Sequence, residues 1–296
     1  MNRKTLTRLI LITALQFGFL MPQVVQSQSK KKNLFAKENL VAWCIVPFDS
    51  ENRTPPQRIE MLKRLGFTQY AYDWRHQHIP TFAEEIDLAK NAGIKMMAVW
   101  IWIDKNNDRV GQLSEDNEQV LKIIKDSGLK TKLWVGFNNN FYADETDDLK
   151  VTKGAAMLNY LRDRAGSFVE GVALYNHGDW FGEPENEIRI LKQLNNPFFG
   201  MVYSFHHGHH QMESFPSMVK KMKPWLWTVN INGMKKDGPQ ILTVGSGDNE
   251  LDMLKALEKA DYKGTIGILG HIETEDVEKV LQRNLGGLAK LQKQLQ

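Results

Sequence analysis

From residue 40 onward the chain repeats one pattern, a short apolar run followed by a longer segment with apolar residues at helical spacing. The apolar runs fall at 40–46, 69–72, 95–103, 132–137, around Val172-Ala173-Leu174, and at 198–203, 225–229 and 265–269. They are short, apolar and bounded by turn residues, which is how strands buried on both faces read. The segments between them predict helices at 54–65, 82–91, 114–128, 150–164, from Pro184 onward, and at 215–222, 250–260 and 274–291. Thr54-Pro55 offers a capping hydroxyl and a first-turn proline, and Gly66, Gly93, Gly128 and Gly166 offer helix stops. Eight strand–helix units without a composition break predict a single (β/α)8 TIM barrel of the α/β class over residues 38–296. An open, doubly wound sheet is the competing architecture.

The N-terminus has a different pattern. Arg3, Lys4 and Arg8 precede an apolar run over residues 9–20, and the small-residue stretch Val25-Gln26-Ser27 follows. That order predicts a secretory signal peptide over residues 1–27. Residues 28–37, with Lys30-Lys31-Lys32, then read as a disordered basic leader. The apolar run is shorter than the roughly 20 residues of a membrane span. Export to the periplasm or the exterior, with no stable membrane insertion after cleavage, is therefore expected, and an uncleaved anchor is the alternative. Removing the three basic residues takes the formal net charge from +3 to zero, which leaves no global attraction to nucleic acid. Cys44 is the one cysteine. It excludes an intrachain disulfide and reads as a small core residue. Nothing in the pattern defines an oligomeric state.

In a TIM barrel the chemistry sits on the loops that follow the strands, and polar and aromatic residues collect there in this chain. Strand five runs into Asn176, His177, Gly178, Asp179 and Trp180, which supply an amide, an imidazole, a carboxylate and a ring. Strand two runs into Asp73, Trp74, Arg75 and His76, either an Asp–Arg pair or a saccharide platform with Trp74 stacking on a sugar face. Trp100 and Trp102 share one face of strand three. Asn138 follows strand four, His206-His207-Gly208-His209-His210 strand six, Asn230 strand seven, and His271 strand eight. One shared mouth would use His177, His207 and His271 for acid–base chemistry. Asp73, Trp74, Arg75, Trp102, Asn138, Asn176, Asp179 and Asn230 would then contact a carbohydrate. The competing reading is structural, with histidines that cap helices or bond nearby carbonyls.

The histidine-rich tract also raises a divalent metal, because imidazole suits several transition ions. Adjacent side chains on an extended segment point to opposite sides, so about two of the four can reach one ion. The candidate ligands are His177, His207, His209 and His271. Gly245-Ser246-Gly247-Asp248 lacks the spacing of a phosphate loop, and no nucleotide cofactor is expected. Trp43 and Trp134 read as core. Asp179 and Glu273 would serve a glycoside hydrolase only at the carboxylate separations that chemistry needs.

Two of these stretches carry a resemblance. Leu174-Tyr175-Asn176-His177-Gly178 on strand five and Tyr203-Ser204-Phe205-His206-His207-Gly208-His209 on strand six resemble the xylose-isomerase-like sugar isomerases and epimerases, in an exported, divergent branch. The resemblance covers roughly residues 40–291 and implies a TIM barrel acting on a sugar. It also implies a divalent metal on Glu, Asp, His and Glu from strands five to eight, and here this chain departs from it. Tyr175 stands where the strand-five Glu would be, and Ser204 where the strand-six Asp would be. Asn230 or Asn232 replaces the strand-seven histidine, and His271, with Glu273 two residues on, lies near the final Glu. The metal site is therefore expected to be absent or rebuilt around histidines. The leading expectation is an exported isomerase- or epimerase-like enzyme, or a lyase, that abstracts a proton next to a sugar carbonyl. The alternative is a non-catalytic barrel that binds a saccharide or a partner.

Overall fold

A computed structural model of the chain describes residues 33–295. Eight parallel strands close into a barrel in sequence order: β1 (Leu40–Trp43), β2 (Gln69–Tyr72), β3 (Lys95–Ile103), β4 (Thr131–Phe137), β5 (Val169–Tyr175), β6 (Phe199–Ser204), β7 (Leu226–Ile231) and β8 (Thr265–Leu269). Closure is made by β1 against β8, with Leu40 opposite Ile266 and Trp43 opposite Leu269. The helices are α1 (Pro55–Leu65), α2 (Phe82–Asn91), α3 (Glu115–Asp126), α4 (Asp147–Ala165), α5 (Pro184–Leu194), α6 (Phe215–Met222), α7 (Glu250–Lys259) and α8 (Val277–Leu295). The chain thus has the (β/α)8 TIM-barrel fold that its alternation predicts.

Two apolar layers hold the barrel. The larger lies between strands and helices and includes Leu62, Ile86, Val120, Leu158 and Leu281. The smaller fills the lumen, where Ala71, Ala98 and Ala173 leave space for Trp43, Trp134, Trp227 and Tyr175. The ring of Trp43 on β1 meets Trp134 on β4, with centroids 4.8 Å apart. Strands that are not neighbours are thereby packed across the centre. The indoles need glycines opposite them. A Cβ at Gly200 would collide with the Trp227 ring, and one at Gly136 with the Trp100 ring. Among charged groups, Arg58 and Glu85 form a buried ion pair at 2.5 Å between α1 and α2, with Tyr70 donating to the same carboxylate at 3.1 Å.

The structure departs from the sequence pattern at several boundaries. β1 ends at Trp43 and not at residue 46, because Cys44 adopts a left-handed φ of 55° that breaks the ladder. α4 begins at Asp147, three residues before the expected start. Thr146 caps it, and Asp147 and Asp148 sit in the first turn, where the helix dipole favours carboxylates. β7 runs on through Ile231, which makes Asn230 a strand residue. Residues 33–37, expected in the leader, are ordered: Leu34 and Phe35 are buried, and Leu34 accepts from Asn39 Nδ2 at 2.7 Å. The expected signal peptide lies outside the described residues. Among the described residues no helix is long and apolar enough to cross a membrane.

Candidate active site

The strands deliver four imidazoles to the carboxyl end of the barrel. His177 follows β5, His206 and His207 follow β6, and His271 follows β8. Ring centroids are 4.3 Å apart for His177 and His207, 3.8 Å for His206 and His207, and 5.3 Å for His206 and His271. With Trp43, Phe48, Asp73, Arg75, Trp100 and Tyr175 they line a narrow inner cavity of about 60 Å³.

The surroundings set each ring. Ser204 Oγ lies 2.9 Å from His206 Nδ1, and the Phe48 ring packs 3.7 Å from that of His271. Trp102 meets the His177 ring edge-on at 4.8 Å. Arg75 donates from Nη1 to the main-chain carbonyls of Asp73 and Trp74 at 2.9 and 2.8 Å, which holds its guanidinium over Phe48. Asp73 is buried and accepts from the amides of Ile45 and Val46 at 3.3 and 3.2 Å, so its carboxylate pins the turn after β1.

Burial and crowding keep these histidines neutral. His207 is pushed down to about 3, by burial first and then by His177 and His271. His271 is pushed down to about 4 by burial, Arg75 and His177. His177 is lowered by burial and Arg75, and His206 falls well below the usual range through burial and its three imidazole neighbours. Asp73 moves the other way, up to about 6, because burial outweighs Arg75 and the two amides. Among the described residues His177 Nδ1, His206 Nε2 and His271 Nδ1 are buried nitrogens with no hydrogen-bond partner.

Several residues expected at the mouth serve other ends. His209 turns away, with Nε2 2.5 Å from the Lys235 carbonyl, and His210 faces Glu183 at 2.9 Å. His206 takes the place expected of His209, because residues 205–208 form a turn and not an extended strand, so adjacent imidazoles reach the same side. Asn176 is buried and locks β5 to β6, accepting from Ser204 N at 2.7 Å and donating to Ser204 O at 3.0 Å. Asn230 is fully buried beneath the mouth, donating to the Tyr175 hydroxyl at 3.3 Å. Asn138 bonds Asp104, and with Asp179 it lines a separate hollow beside Phe141 and Trp180. Asp179 and Glu273 do not line the histidine cavity. Asp73 and Arg75 share the site, but Arg75 grips the Asp73 main chain and not its carboxylate. Trp74 is buried and donates to the Trp100 carbonyl at 2.7 Å, which pins the expected platform against β3. Trp43, read as core, lines the cavity.

The site does not reproduce a carboxylate-rich metal centre. The Tyr175 hydroxyl accepts from Trp43 Nε1 at 2.8 Å, and Ser204 is fully buried against His206. The unpartnered imidazole nitrogens are of a type that binds transition ions. Even so, no three His, Cys, Asp or Glu side chains among the described residues are placed to hold one cation. The glycine-rich loop is also occupied, because Glu250 accepts from the amides of Gly245 and Gly247, both at 2.6 Å.

A second, larger cavity of about 430 Å³ adjoins the inner one and shares Arg75, Trp100 and His177 with it. Its walls come from the end of β3, the β2–α2 and β3–α3 loops and the first turn of α3, including Trp102, Asp104 and Asp116.

No protein-family model matches the chain, and no curated protein matches it. Solved structures do match in fold. The 3-keto-D-glucoside 4-epimerase YcjR from E. coli superposes with a TM-score of 0.65 at 15% identity, over 87% of this chain and 100% of that one. The IolI protein with a bound zinc atom gives 0.65 at 15% identity, over 87% and 99%. A D-psicose 3-epimerase in the presence of D-fructose gives 0.62 at 14%, over 87% and 99%. At such identities the likeness is one of fold, and this chain shares the (β/α)8 TIM-barrel fold with those structures.

Proposed function

We propose that the protein is a sugar isomerase- or epimerase-like enzyme that abstracts a proton next to a sugar carbonyl, with His207 and His177 as its acid–base pair. The observation that carries this reading is the contact of two neutral imidazoles, brought from separate strands to the carboxyl end of the barrel. A neutral imidazole can accept a proton, although a group held as low as His207 is by itself a weak base. An enolate formed in the same step would place negative charge beside the new imidazolium and offset the burial that disfavours it. Arg75, the cation lining the cavity, would stabilise the same oxyanion. Rings 4.3 Å apart lie too close to flank a sugar on opposite faces. They suit a relay in which His207 takes the carbon-bound proton and hands one to His177, which passes its own to oxygen, as in isomerisation through an enediol or in elimination by a lyase.

The fold neighbours named as sugar epimerases support a carbohydrate substrate. The zinc in one neighbour keeps a divalent metal in view. Since the side chains here form no cation site among the described residues, no step is assigned to a metal. A second reading, a barrel that binds sugar without turning it over, is favoured by Tyr175 and Ser204 at the positions of the family's carboxylates. Incubation with a panel of neutral aldoses and ketoses in D2O separates the two. Carbon-bound deuterium in recovered sugar supports the enzyme, and binding without any wash-in returns the chain to the binding reading. Export with cleavage near Ser27 is part of the proposal, on the order of basic, apolar and small residues at the N-terminus.

A further inference from the structure

We infer that the substrate is a neutral glycoside of at least two units: the reacting sugar reaches the histidines, and the attached sugar lies in the outer cavity over Trp102. This rests on the reading of the mouth as a sugar site. The two cavities meet only at Arg75, Trp100 and His177. His207 and His271 line the inner cavity alone, whereas Ser114, Asp116 and Trp102 line the outer one alone. A single sugar held at His207 therefore leaves the larger space unfilled.

The outer cavity is built and not incidental. Its floor is Trp100 and Trp102, half-buried indoles with planes 22° apart and centroids separated by 5.9 Å. Gly136 opposite them has no side chain to obstruct either ring, and a Cβ there would come within 2.9 Å of Trp102 Cζ3. The wall is held by buried polar groups. Asn117 Nδ2 donates to the Trp102 carbonyl at 2.8 Å and to Asp108 Oδ1 at 3.0 Å, while Asp108 accepts from the amides of Ser114 and Asp104 at 2.8 and 3.0 Å. Flat apolar rings edged by carboxylates suit a pyranose, which offers a C–H face to the ring and hydroxyl donors to the acids. Asp104 and Asp116, the latter 2.8 Å from His76 Nδ1, set two carboxylates against the one shared arginine, Arg75, and so disfavour a phosphate or a uronate on the second unit.

The test is calorimetric binding of methyl glucosides and of α- and β-linked glucose disaccharides to the full mature chain. The expected result is one disaccharide that binds about tenfold or more tightly than its methyl glucoside. Trp102→Ala should narrow that gap to about twofold or less. Asp116→Ala, at a half-buried rim position, should narrow it in part and serves if Trp102→Ala lowers the melting temperature. Equal affinity for the two classes, a gap that survives both substitutions, or no binding of any glycoside overturns the inference. A disaccharide preference without deuterium wash-in leaves the inference standing and removes the catalytic reading. Wash-in on monosaccharides with no disaccharide preference does the opposite.

Discussion

The imidazoles of His177 and His207 lie with ring centroids 4.3 Å apart although 29 residues and one strand–helix unit separate them. Pairing of the strands in sequence order makes β5 and β6 neighbours, with Tyr175 opposite Val202. Asn176 then ties the ends of the two strands together through the Ser204 backbone. Replacing Asn176 by Ala should leave the Ser204 amide without its acceptor and loosen the pair. The expected cost is about 1–3 kcal/mol of stability, together with a loss of activity that restoring the amide as Gln does not rescue. Denaturant unfolding and turnover of the two variants check this.

Acid should weaken the fold through the same histidines. His207 and His271 are held at about 3 and 4, below the ordinary 6.5. The unfolded chain therefore binds more protons than the folded one below pH 6.5, and stability falls as pH drops from 6.5 toward those values. Asp73, raised from 3.8 to about 6, has the opposite sign between those two values. The informative quantity is therefore the stability of wild type minus that of His207→Gln, which should fall, to zero or below, as pH drops from 7 to 4. A rise in that quantity over the range contradicts neutral burial of His207.

The buried ion pair between α1 and α2 should matter more to stability than the surface pairs. Arg58 and Glu85 are 3% and 0% exposed at the side chain. Arg58→Met strands the carboxylate, and a loss of about 3–5 kcal/mol is expected in denaturant unfolding. The exposed pair of Lys63 and Glu60 should give at most about 1 kcal/mol by the same measurement.

Gly136 should be intolerant of even one methyl group. Gly136→Ala drives a Cβ into the Trp100 ring. A loss of about 1–3 kcal/mol from overpacking is expected, with a shift in tryptophan emission as the platform moves. Unchanged emission would separate Gly136 from the platform.

Much of the barrel was legible because buried parallel strands read as short apolar runs, and because glycine stops and proline starts mark the helices. The ends of β1 and β7 were not. A left-handed Cys44 and a buried Asn230 both depend on tertiary partners, Asp73 nearby and Tyr175 across a strand, that no local pattern shows. The mouth was legible in part. His177, His207 and His271 follow their strands as expected, while the exchange of His209 for His206 turned on a tight turn in place of an extended segment. Nothing in strand alternation separates Asn138 and Asp179 into their own hollow, since that depends on how Phe141 and Trp180 pack.

Cleavage near Ser27 should appear as a mature chain that lacks Met1 when extracytoplasmic protein is weighed by mass spectrometry. An intact N-terminus in that fraction contradicts it.

Transfer of solvent deuterium into sugar carbon, compared between wild type and His207→Gln, bears most directly on the central claim. With the sugar that the wild type labels fastest, labelling by the variant should fall about a hundredfold or more. The melting temperature should stay near that of the wild type. Undiminished labelling by a folded His207→Gln protein would contradict the assignment of His207 as the base.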